Sequence, residues 1–308
     1  MTLPELSRRG YPDDMVIGTL AGAGTLGLLI PPSIIMIVYG VTADVSIARL
    51  FIAGVLPGLM LAGLFSAYIV FWALRHPDRV PGVERQYSFA EKIHESRSLI
   101  PVVLLIAAVL GSIYTGIATA TEAAGVGVIG SLVLSAVQGS LSWASFRDAL
   151  LGATRLYCMI ALILAGAAFL TLSMGYIGLP RHLAEWIAEL GLSQFQLIAA
   201  LTLFYIVLGC FLDGISMVVL TMGVIMPTVT KAGIDPLWFG IFIVLVVEMA
   251  QITPPVGFNL FVLQGMTGRE LPWIARVTLP MFFVMVFAVL LIYWFPAIVT
   301  WLPEQMMH

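Results

Sequence analysis

The chain has 308 residues, of which 60% are hydrophobic and 10% charged, and its formal net charge is −3. Soluble domains carry about 25% charged residues, so this composition, with a mean hydropathy of +1.05, excludes a soluble globular protein. Nucleic-acid binding is excluded because the basic residues form no patch, and the two cysteines lie apart in apolar segments, so neither a disulfide framework nor a metal cluster is predicted.

Charge-free apolar segments recur along the chain. A helix that spans a bilayer needs about 20 apolar residues, and eight segments reach that length while a ninth, Gly214–Thr230, is slightly shorter. The eight are Met15–Ala43, Leu50–Leu74, Ser98–Thr121, Ala123–Phe146, Leu156–Pro180, Leu190–Leu212, Met249–Gly268 and Val277–Pro303. The sequence therefore predicts an all-α protein that crosses the membrane several times and has the lipid bilayer as its surroundings.

The basic residues are unevenly distributed among the predicted loops. Lys and Arg favour cytoplasmic loops, and we place the long polar segment His76–Arg97 in the cytoplasm because it carries four of them. Counting the spans in both directions from this segment places 11 of the 14 basic residues on the cytoplasmic side. The three outside are Arg49, Arg181 and Lys231. This count requires Leu190–Thr230 to be a re-entrant hairpin, because Arg269 and Arg276 would otherwise lie outside.

Two segments, Ser142–Ala153 and Pro180–Leu190, mix charged residues with a tryptophan at helical spacing. Amphipathic helices of this kind lie at the level of the lipid headgroups and do not span the bilayer. We therefore predict two short interfacial helices.

An offset of 223 residues relates the two halves of the chain. Four of the five prolines within residues 1–60 then fall on prolines, and Gly10 falls on Gly233. The four pairs are Pro4 with Pro227, Pro31 with Pro254, Pro32 with Pro255, and Pro57 with Pro280. The predicted orientation puts Gly10 inside and Gly233 outside, so the copies have opposite topology. Inverted repeats are typical of secondary transporters, which hold their substrate near the midplane between the copies.

These elements divide the chain into five predicted parts. They are residues 1–75, the remainder of the first repeat (the end of hairpin 1, a broken helix and the following helix); 76–97, a cytoplasmic linker; 98–189, scaffold and interfacial helices of the second repeat; 190–232, re-entrant hairpin 2; and 233–308, a broken helix and the last transmembrane helix. Hairpin 1 is the counterpart, in the first repeat, of the predicted re-entrant hairpin. The offset places one of its two arms before residue 1, so we expect the chain to be truncated at its N-terminus.

Two Pro-Pro pairs interrupt predicted spans at related positions, Pro31-Pro32 and Pro254-Pro255. A proline inside a helix removes a backbone donor and clashes with the preceding turn, at about 3 kcal/mol or more, so both helices are predicted to break. One interpretation is a packing kink. The other is a binding site, because unpaired backbone is tolerated at membrane depth where it lines a wet cavity. Carbonyls in Gly24–Ile30 and Ala250–Thr253 would then coordinate a small cation, and the helix N-termini that follow would favour an anionic substrate.

Two carboxylates lie inside apolar segments. Asp213 is predicted at the tip of the hairpin, where it either caps a helix or binds an ion, and the two roles are compatible. Glu248 lies shortly before the second Pro-Pro pair, and Thr25 is its partner in the repeat. An isolated carboxylate within the bilayer has a high free-energy cost, so such groups usually mark ion or substrate paths.

The candidate site residues fall into two groups. Assigned to ion binding are Gly24, Thr25, Gly27, Asp213, Gly214, Ser216, Gln251 and Thr253. Assigned to substrate binding are Pro31, Pro32, Ser33, Glu248, Pro254, Pro255 and Asn259.

Six segments of the chain resemble the large membrane subunit of TRAP-type carboxylate transporters. They are Pro4–Tyr11 (PELSRRGY), Gly24–Ser33 (GTLGLLIPPS), Ile37–Gly40 (IVYG), Ala53–Gly58 (AGVLPG), Leu208–Asp213 (LGCFLD) and Glu248–Gly257 (EMAQITPPVG). The similarity covers nearly the whole chain, and the two Pro-Pro motifs together are fairly specific. The first scaffold helices of the family and the Gly/Ser-bearing tip of its first hairpin have no counterpart in this sequence.

The resemblance implies sodium-coupled uptake of an organic acid, such as a C4-dicarboxylate or a sugar acid, across the bacterial inner membrane, with no organic cofactor. It also implies two partners, a small four-helix membrane subunit and a periplasmic substrate-binding protein, and an elevator movement of the core against a fixed scaffold. On this basis we expect a sodium site made by Asp213, Ser216 and Thr253 with the carbonyls of Gln251 and Ile252.

Three other functions remain as alternatives. The first is a self-contained sodium/dicarboxylate carrier with similar repeats and no binding protein. The second is an intramembrane enzyme, which the peripheral positions of all four histidines disfavour. The third is a passive channel, which the interruption of helices in two inverted copies disfavours.

Overall fold

The computed structural model describes residues 2–82, 88, 91, 96–254 and 257–306, and the regular secondary structure of these residues is helical throughout. The prediction of an all-α fold is therefore confirmed for the described part of the chain. The residues form two compact units, one made of residues 1–81 and 163–308 and the other of residues 82–162.

Seven α-helices are described between the N-terminus and Ile177. They are α1 (Thr2–Arg8), α2 (Asp13–Leu29), α3 (Ile34–Ala43), α4 (Ile47–Arg75), α5 (Ile100–Tyr114), α6 (Ala120–Val137) and α7 (Trp143–Ile177). Seven more follow. They are α8 (Leu179–Glu189), α9 (Gln194–Leu208), α10 (Gly214–Lys231), α11 (Pro236–Gln251), α12 (Phe258–Thr267), α13 (Leu271–Trp294) and α14 (Ala297–Met306). Within the second unit, α5 packs against α6.

Five of the described helices are long and apolar enough to cross a membrane, namely α4, α6, α7, α10 and α13, and the bent pair α2–α3 makes a sixth candidate. The prediction of a multi-pass membrane protein is confirmed. Fewer full-length spans are present than the eight apolar segments suggested. Ser98–Thr121 contains only the 15-residue helix α5, because the chain turns at Gly116 with φ +71°. Leu190–Leu212 contains only the 15-residue α9, which ends before the turn at Gly209.

The first Pro-Pro pair breaks its helix as predicted. Helix α2 ends at Leu29 and α3 begins at Ile34, with a bend of 44° between their axes. Ser33 caps α3, and its hydroxyl oxygen accepts the N–H of Met36 at 3.4 Å. In the other half α11 ends at Gln251 and α12 begins at Phe258, so a break surrounds Pro254. Pro255 lies outside the described residues.

The predicted separate interfacial helix at Ser142–Ala153 is wrong. This segment is the first part of α7, a continuous helix of 35 residues, about 50 Å long at 1.5 Å per residue. No proline interrupts this helix, so Arg147 and Arg155 lie on the same helix as the apolar segment that follows them. The helix ends at Ile177, just before Gly178, where φ is +78°. The second interfacial segment does form its own short helix, α8, which packs against α10.

The core of the first unit surrounds α11. Residues 237–250 of this helix are all buried, because α2, α3, α4, α9, α10 and α13 contact it from different sides. A central position among other helices suits a helix that is apolar on nearly every side. The contact of α2 with α13 is close at Gly18, where a β-carbon would lie 2.4 Å from the carbonyl oxygen of Val277.

Two ion pairs lie at one end of the first unit. Arg269 contacts Asp13 at 2.6 Å and Arg79 contacts Asp14 at 2.9 Å, both at the start of α2. Arg79 and Arg269 therefore lie at the same end of the unit, as the predicted orientation requires.

Candidate functional site

Helices α9 and α10 form a helical hairpin around the turn 209–213. The hydroxyl groups of Tyr205 and Thr221 are 2.6 Å apart and join the two arms. Each of these residues is eight positions from Asp213, so the arms run antiparallel with the aspartate at the tip, where it was predicted.

Asp213 is the N-cap of α10. Its Oδ2 accepts the backbone N–H groups of Ile215 at 3.1 Å and Ser216 at 3.2 Å, and the hydroxyl group of Ser216 donates to Oδ1. The carboxylate is exposed. The capping role is therefore present in the structure, and it leaves oxygen lone pairs free to bind a cation, since a carboxylate offers about four acceptor positions.

The hairpin tip contacts the second break. The thiol of Cys210 donates to the carbonyl oxygen of Pro254 at 3.2 Å. A β-carbon on Gly209 would lie 2.2 Å from the β-carbon of Ala250, so the two backbones approach each other closely. Gly214 faces Gln251, with 3.0 Å between its hypothetical β-carbon and Nε2 of the glutamine. Ion-site candidates from two distant parts of the sequence are thereby brought together.

The start of α10 also lies beside the start of α3. A β-carbon on Gly214 would be 3.1 Å from Cδ1 of Ile35, and Ile35 is two residues after the cap residue Ser33. The N-terminus of a helix carries a partial positive charge. Two such ends, from the first break and from the hairpin tip, are therefore neighbours. Sequence reasoning predicted the helix end at the first break, and it predicted the one at the hairpin tip as a possible cap by Asp213, since Asp followed by Gly214 and Ser216 is a capping pattern.

The second break is closed by local hydrogen bonds. The carbonyl oxygen of Ala250 accepts the N–H of Thr253 at 3.2 Å, and that of Thr253 accepts the N–H of Gly257 at 3.1 Å. The hydroxyl of Thr253 donates to the carbonyl of Met249 at 2.6 Å. Two of the carbonyls expected to be free, those of Ala250 and Thr253, thus have one partner each, so only their second lone pair is available for an ion.

Glu248 is completely buried in α11. Its carboxyl group lies beside the hydroxyl of Thr25 and the N–H of Leu29, but neither oxygen forms a hydrogen bond of good geometry with a described residue. Thr25 itself donates to the carbonyl of Gly22 at 2.7 Å. Positions 25 and 248, which the predicted repeat pairs with each other, therefore face each other across the contact of α2 with α11.

The remaining candidates lie at the first break and on α12. Pro31 and Ser33 are buried, whereas Pro32 and Gly27 are exposed. Gly24 is exposed and faces Asn259, whose Nδ2 would be 3.8 Å from a β-carbon at that position. That nitrogen is buried and has no hydrogen-bond partner among the described residues.

Comparison with known proteins identifies one family, both by a family model and by individual relatives. The family model described as Tripartite ATP-independent periplasmic transporter, DctM component, matches residues 1–298. The chain is 33% identical over 298 residues to the C4-dicarboxylate TRAP transporter large permease protein DctM of Pseudomonas aeruginosa, a match that covers 96% of this chain and 69% of that protein. It is 34% identical over 307 residues to the ectoine/5-hydroxyectoine TRAP transporter large permease protein UehC of Ruegeria pomeroyi, covering 98% and 70%.

A further relative has another substrate in its name. The chain is 28% identical over 297 residues to the sialic acid TRAP transporter large permease protein SiaM of Vibrio cholerae, covering 96% of this chain and 68% of that protein. The named substrates of the three relatives differ, although the matches have similar extents.

Proposed function

The chain belongs to the DctM family of TRAP transporter large permease components, and we propose that it takes up a small organic acid across the bacterial inner membrane with sodium as the coupling ion. The observation that carries this proposal is the contact of the hairpin tip with both helix breaks, made by Gly214 with Ile35 and Gln251. Broken helices that meet in the interior are the usual place for substrate and ion in secondary transporters.

An anionic substrate fits the electrostatics of this region. The N-termini of α3 and α10 are neighbours, and each favours negative charge. The relatives are named for C4-dicarboxylate, ectoine and sialic acid, so we propose the class of organic acids and no single member of it. Pro31, Pro32 and Ser33 precede α3 and would lie closest to the substrate, while Pro254 and Asn259 would line it from the other half.

The sodium site proposed in the second half comprises Asp213, Gly214, Ser216, Gln251 and Thr253. Hard cations prefer oxygen ligands, and this set offers carboxylate, hydroxyl and carbonyl oxygens. The contacts of Cys210 with Pro254 and of Gly214 with Gln251 support the proposal, because they bring the hairpin tip to the second break. A second set, Gly24, Thr25 and Gly27, is proposed for the first half.

We also propose that the two halves are inverted repeats and that the core moves as an elevator against a fixed scaffold. Helices α2, α3 and α4 begin at Asp13, Ile34 and Ile47, and α11, α12 and α13 begin at Pro236, Phe258 and Leu271, so corresponding starts are 223 or 224 residues apart. Gly10 and Gly233 both have positive φ, +81° and +72°. These correspondences support the repeat that the prolines predicted.

A tripartite transporter has two further components. We propose that they are a small four-helix membrane subunit and a periplasmic binding protein that delivers the substrate. The family description favours this arrangement over a self-contained carrier.

The test is uptake by the transporter that contains this chain, reconstituted in liposomes with the membrane subunit and binding protein encoded beside it. Uptake of the binding protein's own ligand should require an inward sodium gradient and should stop when the binding protein is omitted or potassium replaces sodium. Uptake that continues without the binding protein would favour the self-contained carrier, and uptake that is independent of sodium would contradict the coupling ion.

A further inference from the structure

A groove runs along α7 in the first unit. Its wide part is a cavity of about 720 Å³ between α3, α7 and α10, lined by Val41, Leu164 and Val219 among others. A second cavity of about 330 Å³ lies between the junction of α7 with α8 and the end of α10. Gly175 lines both cavities, so the two cavities adjoin at this glycine.

The wide part of the groove is apolar and accessible from the side. Leu172 and Tyr176 on α7 are 61% and 86% exposed, and a β-carbon on Gly175 would meet nothing within 4 Å. Helices α7 and α10 are both long and apolar enough to span the membrane, so a groove between them is within reach of the acyl chains of the bilayer. The volume falls within the range of about 300–1,000 Å³ that is usual for ligand sites.

The second cavity carries basic residues at the end of the apolar groove. Arg181 on α8 and Lys231, the last residue of α10, line it together with Glu185. The side chain of Arg181 contacts Glu185 at 2.9 Å, and this hydrogen bond lowers the pKa of the Glu185 carboxyl. Glu185 therefore stays ionised and balances Arg181, which leaves the charge of Lys231 in excess.

We propose that this groove binds one phospholipid with an anionic headgroup, with an acyl chain in the wide part between α7 and α10 and the phosphate at Arg181 and Lys231. Basic cavities beside membrane helices are recognised sites for anionic headgroups. Another membrane helix would fill the apolar part but would offer no anion to Lys231. A free phosphate would satisfy Lys231 but would leave the apolar part empty.

The preference of the groove for one lipid over another must come from the headgroup. Lipid tails are as apolar as leucine side chains, so an acyl chain gains little by moving from the bilayer into the groove. The site should therefore distinguish phosphatidylglycerol, which has a net negative charge, from phosphatidylcholine, which has none, although their tails are the same.

The test is native mass spectrometry of the purified protein titrated with phosphatidylglycerol or phosphatidylcholine of identical tails. The intact protein should bind one phosphatidylglycerol several-fold more tightly than phosphatidylcholine. Lys231→Gln should remove this preference, and Arg49→Gln, which changes a basic residue outside the groove, should leave it unchanged. Gly175→Leu should weaken the binding of both lipids by filling the junction of the two cavities, and size-exclusion chromatography will establish that this variant is folded.

Equal affinity of the wild-type protein for the two lipids would overturn the proposal, as would a Lys231→Gln variant that keeps the preference. Displacement of the bound lipid by millimolar inorganic phosphate would show that the site recognises a simple anion and would also overturn it. If Gly175→Leu does not fold, Gly175→Ala and the Lys231→Gln result decide, because neither change alters the packing of α7 against a neighbour.

Discussion

Gly214, the first residue of α10, lies directly against Gln251, the last residue of α11. A β-carbon on Gly214 would be 3.0 Å from Nε2 of Gln251 and 2.6 Å from Cγ1 of Val247. Contacts this short do not occur between real side chains without displacement of one partner. The hairpin tip therefore reaches the second break because position 214 has no side chain.

Replacing Gly214 by alanine should separate the hairpin tip from the second break. Overpacking of this kind costs about 1–3 kcal/mol, so Gly214→Ala should lower the thermal stability of the purified protein and reduce uptake by the assembled transporter several-fold. Gly63→Ala is the matched control, since a β-carbon there meets nothing within 4 Å. A Gly214→Ala variant with the stability and uptake of the wild type would show that the close contact is unnecessary.

The features that could be predicted from the sequence are those that depend on local chemistry. Proline geometry predicted the break between Leu29 and Ile34, and the residues that follow Asp213 predicted that it could cap a helix at the hairpin tip. The continuous helix α7 was missed because the charges of Arg147 and Arg155 resembled an interfacial segment, whereas helix continuity depends on the absence of a breaker.

The contacts within the candidate site were beyond prediction in detail. The repeat paired Thr25 with Glu248, but the position of the carboxyl group beside the threonine hydroxyl depends on how α2 packs against α11. The contact of Cys210 with Pro254 likewise joins residues 44 positions apart. Such contacts follow from the shapes of complete helices, and no short motif specifies them.

Two substitutions test what the buried carboxyl group of Glu248 contributes to stability and to uptake. Glu248→Gln keeps the size of the side chain, so we expect thermal stability close to that of the wild type, together with uptake reduced several-fold because the carboxyl group is lost. Glu248→Ala leaves a cavity but also removes a buried carboxyl group without a hydrogen bond of good geometry to a described residue, so it should lower the free energy of unfolding by less than the range of about 2–5 kcal/mol that is typical of an apolar large-to-small change. Thermal denaturation and uptake, measured on the same preparations, check both. Wild-type uptake by Glu248→Gln would remove Glu248 from the substrate site.

The predicted orientation is tested by labelling single cysteines in intact cells, after Cys158 and Cys210 are replaced by serine. A membrane-impermeant maleimide should label Glu189→Cys at the end of α8 and should not label Gly82→Cys after α4. Permeabilised cells should allow both to react, which controls for accessibility. Labelling of Gly82→Cys alone in intact cells would reverse the orientation and remove the support for the re-entrant hairpin.

The sodium site depends on whether Asp213 binds an ion in addition to capping α10. Asp213→Asn removes the charge but keeps an oxygen that accepts the same N–H groups, and asparagine and aspartate are similar N-cap residues. The variant should therefore keep its thermal stability. Asp213→Ala removes the cap as well, and it should lower stability by about 0.5–2 kcal/mol.

The most direct measurement is the sodium concentration for half-maximal uptake by the reconstituted transporter, compared between the wild type and Asp213→Asn. A ligand role for the carboxylate predicts a several-fold higher sodium requirement in the variant at equal thermal stability. An unchanged sodium dependence would show that Asp213 only caps the hairpin and would contradict the proposed sodium site.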